Sequence, residues 1–518
     1  MDDVKQVPVL IVGGGPVGLS VAIGLRRWGI ACLLVEKHES TLDFPKGRLV
    51  SPRSMEIYRA WAIEEAIAEA GLARDESLFL FTGNTLLADS FSREGVCSKA
   101  DDLNFSPTKR LLCSQDVMEP VLLQWAKKLG ADVRFATKLE SFTQDDHRVS
   151  ATLRDERTGE ISTVHATYLV AADGARSGVR AQLGIGVRGP GPLGRVVSIL
   201  VEADLASRIA DRRSGLYRVH HPRPVLFAVV DNERRWLMMV RDDAEAPAPA
   251  SDEACLSLAR ESIGDPTVPV RIGGRRLWSP TGEIAERFKQ GRVFLIGDAA
   301  HVMTPNGGFG MNCGIADAHN LVWKLATVLT GCAHPAVLDT YEPERQPVAE
   351  QAMAASFVMA QQLLTQPRFD AHGIFFGASY GSAAILPDGT SAPLVDDPIH
   401  DYVPVARPGH RAPHVWISYD ARRTSTVDLF GRGFVLLSGG HLREAYASAF
   451  TAATQATGVA GRHCAVDEPA WCEVYGVQPD GAVLVRPDGH VAWRTATSPP
   501  DLPAAVAHAL KVATGGER

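Results

Sequence analysis

The chain has 518 residues, more than one core organises, so two or three domains are expected. Hydrophobic residues make up 45% of it and charged residues 22%, the balance of an ordinary globular protein. A net charge of −7 without long like-charge runs argues against a nucleic-acid partner. No uninterrupted apolar stretch of about 18 residues occurs, so no membrane span is expected. The N-terminus enters its first strand almost at once, with neither a basic nor an apolar leader, and no secretory signal is expected. Cys32, Cys97, Cys113, Cys255, Cys313, Cys332, Cys464 and Cys472 are scattered and form no C-x-x-C. That is the complement of a reduced, cytoplasmic chain, with no disulfide frame and no metal site.

In chain order, Gln6 to Val12 reads as a short apolar strand. Gly13, Gly15 and Gly18 follow with the G-x-G-x-x-G spacing. The first glycine allows a tight turn, the second a close approach to a pyrophosphate, and the third close helix–strand contact. After Pro16, the run Val17 to Trp28 has apolar residues at helical spacing. Its N-terminus would offer free N–H groups and about half a positive charge to phosphates. A second strand, Ala31 to Val35, ends in Glu36, with Lys37 beside it. An acid at this point takes the ribose hydroxyls of an adenosine and disfavours a 2′-phosphate there. This motif does not separate FAD from NAD.

Lys46-Gly47-Arg48 precedes a helix starting near Pro52, and Gln115 stands in Leu-Leu-Cys-Ser-Gln-Asp-Val-Met-Glu. Residues 76–99 suggest a hairpin. Thr167 to Ala172 reads as a buried strand ending at Asp173-Gly174, with Ser177 and Arg180 at a helix start. An Asp-Gly turn with Ser177 as a helix cap explains that stretch equally well. From 184 to 274 the chain alternates as a one-face-buried sheet would: Val196 to Val201, Leu216 to His220, Pro224 to Val230 and Arg235 to Val240.

Arg292 to Ile296 is another apolar strand, running into Gly297-Asp298-Ala299-Ala300-His301. Pro305-Asn306-Gly307-Gly308-Phe309-Gly310-Met311-Asn312 follows, and then a helix expected over Ile315 to Val328, with Asp317, His319 and Asn320 near its start. His301 and His319 have no partner at ligand spacing and are expected to be structural. Gly, Pro and Asp dominate 365–412, a linker composition. Beyond it come strands over Thr424 to Leu437 and Gly481 to Arg494, with Pro487-Asp488-Gly489-His490 as a hairpin turn.

The three glycine signatures, in this order, resemble those of the single-component FAD-dependent aromatic hydroxylases, the para-hydroxybenzoate hydroxylase, phenol hydroxylase and aromatic polyketide hydroxylase type. The resemblance implies an α/β fold. A Rossmann-like, mostly parallel FAD-binding domain would be assembled from 1–75, 100–183 and 275–365. An interleaved mixed β-sheet substrate domain would comprise 76–99 and 184–274. A linker at 366–410 would lead to a thioredoxin-like domain at 411–518 without C-x-x-C. All flavin signatures precede Arg345, so a chain without the last domain is expected to bind FAD if it stays soluble, with apolar surface or oligomer contacts uncovered.

The family pattern implies non-covalent FAD held by Gly13, Gly15, Pro16, Val17, Gly18, Glu36, Lys37, Arg48, Gln115, Asp173, Gly174, Gly297, Asp298, Pro305, Gly308, Gly310, Met311 and Asn312. Asp173 would serve both FAD and NAD(P)H, Asp298 the ribityl chain, Arg48 the flavin region and Gln115 the ribose or ribityl chain. The helix after Pro305, Gly307 and Gly308 would stabilise negative charge on the reduced flavin. The implied reaction is hydroxylation of a phenolic or polyketide-like ring with O2 and NAD(P)H, NADPH favoured, through a flavin C4a-hydroperoxide, by a monomer or homodimer. No catalytic acid or base stands out; Tyr217, Arg218, His220 and His221 are candidates on the substrate sheet. A halogenase would carry W-x-W-x-I-P, and none of the nine tryptophans is two residues from another. A flavoprotein oxidoreductase without hydroxylation, or a flavin carrier without turnover, remains the alternative.

Overall fold

The computed structural model describes residues 5–72, 78–97, 99–231 and 233–516. The expected boundary at 75/76, the N-terminal residues 1–4 and the last two residues of the expected 411–518 unit lie outside them. The architecture is α/β. Strand Lys5–Val12 lies inside an eight-stranded sheet and pairs in parallel with Cys32–Val35 on one side and Ile161–Ala171 on the other. Val293–Leu295 extends the sheet in parallel beyond Ile161–Ala171, and Asp132–Arg134 does so beyond Cys32–Val35. Strands covered on both faces read as continuous apolar runs, as Val9 to Val12 do. The three signatures therefore leave the carboxyl ends of three adjacent parallel strands. That edge of an open α/β sheet is where ligands bind.

A seven-stranded sheet runs in the order Arg271–Trp278, Val196–Glu202, Arg235–Arg241, Val225–Val229, Leu216–Val219, Leu78–Gly83, Phe91–Cys97. Its pairs are antiparallel except Leu216–Val219 with Leu78–Gly83, so the 78–97 hairpin adds to the sheet built from 196–278. One face, with Ile199, Phe227, Trp236 and Met238, shares a core with Leu258 and Ile263 of helix Asp252–Ile263. The opposite face carries Leu200, Ala228 and Leu237 against Phe44 of the first unit.

The stretch 366–410 is not a free tether. It folds into helix His372–Phe376 and buries Phe375, Phe376, Tyr380 and His400. The last unit has a four-stranded sheet, Gly461–Val466, Phe434–Gly439, Ala482–Val485 and Val491–Thr495, with helices Arg443–Thr457 and Leu502–Ala513. Phe434, Leu436, Tyr446 and Leu484 belong to the same apolar core as the first sheet.

Buried charges tie the last unit in further. Arg486 donates to both oxygens of Glu344 at 2.6 and 2.8 Å, and Glu344 also receives Lys324 Nζ and Asn320 Nδ2, each at 2.7 Å. Asp488 takes Arg486 at 2.5 Å and the Trp323 indole N–H at 3.2 Å. Arg411 pairs with buried Glu56, which also takes Arg53 at 2.8 Å. Residues past 410 therefore fill bonds on helices of the first unit, and the solubility on which FAD binding by a shortened chain depends rests on them. Their loss would take Arg486 from Glu344 and Arg411 from Glu56, and would unpack the apolar core they share.

Deleting one partner of a buried ion pair costs about 3–5 kcal/mol because the other is left uncompensated. Arg486→Ala should lower stability by that amount, and a chain ending near 410 should not accumulate as a soluble flavoprotein. Denaturant unfolding and the flavin content of the purified truncation check both. An Arg486→Ala midpoint within experimental error of wild type would contradict the coupling.

Candidate active site

The glycines of the first signature divide their work as the spacing predicts. A Cβ on Gly13 would lie 2.2 Å from Ala172 O, and one on Gly18 would lie 2.0 Å from Gly13 O, so both sites admit only glycine. A Cβ on Gly15 would meet nothing nearer than Glu119 Oε1 at 3.9 Å, so the second glycine faces open space. Helix Pro16–Arg27 has no side-chain cap and no acid in its first turn. Its first bonded amide is Leu19 N on Gly15 O at 3.0 Å, which leaves the amides before it free for an anion. Glu36 is held by Gly14 N at 2.7 Å and His38 N at 2.9 Å, with further lone pairs open. Lys37 is exposed beside it.

The second signature adds an orphan. Asp173 Oδ2 accepts from Val179 N at 3.1 Å, while buried Oδ1 has no partner among the described residues. Ser177 caps the short helix by accepting from Arg180 N at 3.0 Å. Arg180 donates to Ala299 O at 2.8 Å and to Ala175 O at 2.9 Å, which binds the second signature to the third. Gly174 stands beside Asp173 at φ +82°.

Asp298 makes no hydrogen bond among the described residues and is open to solvent. Desolvation nonetheless raises its pKa, against the pull of His301 and Lys46. A wetted carboxylate so closely walled by protein is one on the floor of an open crevice. Gly297 before it, at φ +55°, is anchored by Asp317, whose Oδ2 accepts Gly297 N at 3.0 Å and contacts His301 Nε2 at 2.7 Å. Asp317 Oδ1 accepts Arg345 Nε at 2.7 Å, and Arg345 continues to Cys313 O at 3.2 Å and Tyr380 OH at 3.0 Å. Burial pushes the Asp317 pKa up, but His301 and Arg345 outweigh it and hold it at about 2. His301 is thus a partner of this carboxylate. His319 lies buried edge-on to Trp61, and burial lowers its pKa to about 3.

The long helix spans Phe309–Leu329, six residues earlier than expected. Gly307 and Gly308, at φ +79° and +66°, supply the turn into it, so Gly310, Met311 and Asn312 form its first turn. Asp317 is consequently two turns in. Pro305 is exposed at the loop. A Cβ on Gly308 would sit 2.9 Å from Leu49, and one on Gly307 would sit 2.8 Å from Met359 Sδ. Met311 Sδ is 3.6 Å from where a Gly47 Cβ would be, which brings the 46–48 segment against this turn.

Three predicted ligands have side chains that already hold partners within the protein. Asn312 is used by Ser51 N at 2.8 Å, Ser54 Oγ at 2.7 Å, Leu49 O at 2.9 Å and Gly308 O at 2.7 Å, so it fastens the loop. Gln115 Nε2 donates to Glu119 at 2.7 Å, although its backbone N reaches Gly47 O at 2.8 Å. Arg48 reaches into the seven-stranded sheet and donates to Gly215 O at 3.0 Å and Val229 O at 2.7 Å. Burial without a carboxylate partner lowers its pKa to about 10, so it stays charged at neutral pH. Tyr217 is buried on the sheet's core face with its hydroxyl accepting from Ser214 N at 2.8 Å, and His220 and His221 are exposed. Of the four sheet candidates, only Arg218 alternates onto the face shared with the first unit.

Sequence reasoning missed Asp317, Arg345, Tyr380 and Glu119 as parts of the site. The available signal was a carboxylate between Ile315, Ala316 and Ala318, since a charge in an apolar helix stripe needs a partner. The crevice offers free amides at a helix N-terminus, an open glycine, an orphaned Asp173 oxygen, Glu36 and Asp298. That donor and acceptor set fits an extended dinucleotide.

Residues 6–356 match the family model described as FAD binding domain, and residues 405–513 match that described as aromatic-ring hydroxylase, C-terminal. The chain is 38% identical over 524 residues to a tetracenomycin B2 monooxygenase-dioxygenase of Streptomyces olivaceus, covering 96% of each protein. It is 36% identical to a 4-methyl-5-nitrocatechol 5-monooxygenase of a Burkholderia species, covering 98% of this chain and 97% of that one. The solved ternary complex of aklavinone-11 hydroxylase with FAD and aklavinone superposes with a TM-score of 0.88 at 33% identity, over 99% of this chain and 100% of that one. Among the described residues no helix is long and apolar enough to cross a membrane.

Glu36→Arg places a donor where the ribose needs an acceptor and should weaken FAD binding by about 1.5–3 kcal/mol. Equilibrium dialysis against FAD measures it, and unchanged affinity would remove Glu36 from the site. Asp317 contributes stability that is complete above about pH 4 and lost as pH falls through about 2, because its folded pKa lies below its unfolded one. Asp317→Asn should flatten the acid limb of the stability curve there. An acid limb identical to wild type would show that Asp317 does not carry it.

Proposed function

The chain belongs to the FAD-dependent aromatic-ring hydroxylases, and on that premise we propose that its substrate is a polycyclic phenol of the aromatic polyketide kind. It is an FAD-dependent monooxygenase that uses NAD(P)H and O2 on an aromatic small molecule. The observation that carries the substrate class is the sheet face turned toward the first unit. Leu216, Ala228, Leu237 and Leu200 stand in register across four adjacent strands. At about 4.8 Å per strand they make an apolar floor about 14 Å long, more than one ring covers. The names of two of the proteins compared above, the tetracenomycin and aklavinone enzymes, point the same way.

When bound, FAD would relay the reducing equivalents of NAD(P)H to oxygen and so activate it. The protein's share is to bind, orient and exclude water. We assign the adenosine ribose to Glu36, the pyrophosphate to Gly15 and the free amides after Pro16, and the ribityl chain to Asp298. Asp173, through its open oxygen, serves the same crevice. Gly307 and Gly308 let the backbone lie close to the flavin edge, and the first turn at Gly310 and Met311 offers its amides to negative charge there. Arg48 is a fixed cation at the seam between the two sheets. It favours the ionised form of a phenol brought to that seam, and ionisation makes the ring the better nucleophile. The apolar walls, Phe44, Leu49 and Met239 among them, keep water from the reacting oxygen.

Steady-state NAD(P)H oxidation tests the reading. Aklavinone, as the polycyclic probe, should raise the rate by about tenfold or more over the ligand-free rate, and more than 4-methyl-5-nitrocatechol does. An enzyme stimulated only by the one-ring probe would refute the polycyclic assignment. Arg48→Met should lower kcat with the polycyclic phenol by about 10–100-fold, the worth of a charge-assisted contact of about 1.5–3 kcal/mol. Unchanged kcat would free Arg48 of this role.

A further inference from the structure

The substrate face of the seven-stranded sheet ends in polar atoms whose bonds are unfilled. Thr82 Oγ1 and Gln362 Oε1 are both buried without a hydrogen-bond partner among the described residues. An unmet buried polar group costs about 1–3 kcal/mol, so such an atom calls for something that fills it.

Their placement connects them to the substrate floor. Thr82 stands opposite Arg218 in the parallel register of Leu78–Gly83 with Leu216–Val219, so both side chains project from one face. Arg218 is two residues past Leu216 and shares the face of the apolar row. Its guanidinium donates to Leu363 O, which brings the end of helix Tyr341–Thr365 over that face. Gln362 precedes Leu363 and follows Met359 by three residues, so Met359 and Gln362 share one side of the helix. Met359 meets the flavin-edge loop at Gly307. A wall thus runs from the loop through Met359 to Gln362, and on to Arg218 and Thr82. Among the described residues Arg218 has the Leu363 carbonyl and Glu94, at 3.7 Å, as partners for its five N–H donors.

We propose that Thr82, Arg218 and Gln362 form a specificity subsite that takes a hydroxyl group at the end of the substrate remote from the hydroxylated ring. Arg218 donates, Gln362 Oε1 accepts, and the Thr82 hydroxyl does either. A substrate hydroxyl can fill all three at once, and a one-ring phenol seated at the flavin edge cannot reach them. This rests on the polycyclic reading above.

The test uses the FAD-loaded full chain with Thr82→Val and Gln362→Leu, each close in shape and lacking the polar atom. The readout is the ratio of kcat/KM for aklavinone to that for 4-methyl-5-nitrocatechol. Each substitution should lower the ratio about tenfold, mainly through the aklavinone KM, the loss expected when a site built for an oxygen loses its partner. Thr82→Ser should restore it. In the absence of substrate, Thr82→Val should raise the melting temperature, because it removes a group that has no bond in the free enzyme. Wild-type preference for aklavinone with unchanged ratios in both variants would overturn the subsite and leave the substrate class standing. A lowered melting temperature together with unchanged ratios would mean that water fills these atoms, and it too overturns the subsite. Wild-type preference for the one-ring probe would sink the polycyclic reading and the subsite with it.

Discussion

A single buried carboxylate carries much of the order around the site. Asp317 is fully enclosed, and a charge so placed persists only where its partners outweigh its desolvation. Those partners come from three places. The Gly297 amide belongs to the strand end that leads into Asp298, His301 to the strand just after it, and Arg345 to the neighbouring helix. Moving any one leaves an unpaired charge or an unmet donor, so the three are held as a unit. Arg345 passes the constraint to Tyr380, whose ring stacks on His490 of the last unit at 3.9 Å between centroids. The strand end at Gly297 and the C-terminal sheet are thereby parts of one polar framework.

This framework gives the last unit a structural share in the first. Arg486, Asp488 and Arg411 fill bonding positions on helices that also frame the crevice. The same side of the long helix opposes a cavity of about 50 Å³ lined by Arg53, Arg345, Tyr380, Arg411 and His490, large enough for ordered water. The buried charges balance in pairs, as they must where water is scarce. The last unit therefore acts as the far wall of the first one's core, which the shared apolar cluster shows independently.

The parts legible from sequence were those whose physics is local. The spacing of Gly13, Gly15 and Gly18 fixes a turn, an open approach and a tight crossing within a few residues, and the structure repeats that division. The apolar strands before each signature were legible for the same reason. The start of the long helix was not, since Gly307, Gly308 and Gly310 read as loop by propensity. Packing of Phe309 and four bonds to Asn312 override it. Nor was 366–410 legible, whose Gly, Pro and Asp look like a tether while Phe375, Phe376 and Tyr380 bury. Asp317 with Arg345, and Glu344 with Arg486, join residues far apart in the chain, and no periodicity announces them. The crossing of the Arg48 guanidinium to Gly215 and Val229, which ties the two sheets together, was not legible either, since it joins residues far apart in the chain.

The proposed function depends on oxygen being delivered to an aromatic ring. The most direct measurement is turnover under heavy-isotope dioxygen with an aromatic acceptor, following the label by mass spectrometry and hydrogen peroxide in parallel. The account predicts one labelled oxygen atom in the product for each NAD(P)H consumed, with little peroxide. NAD(P)H consumption that no phenol stimulates, with the label recovered as hydrogen peroxide alone, would contradict it.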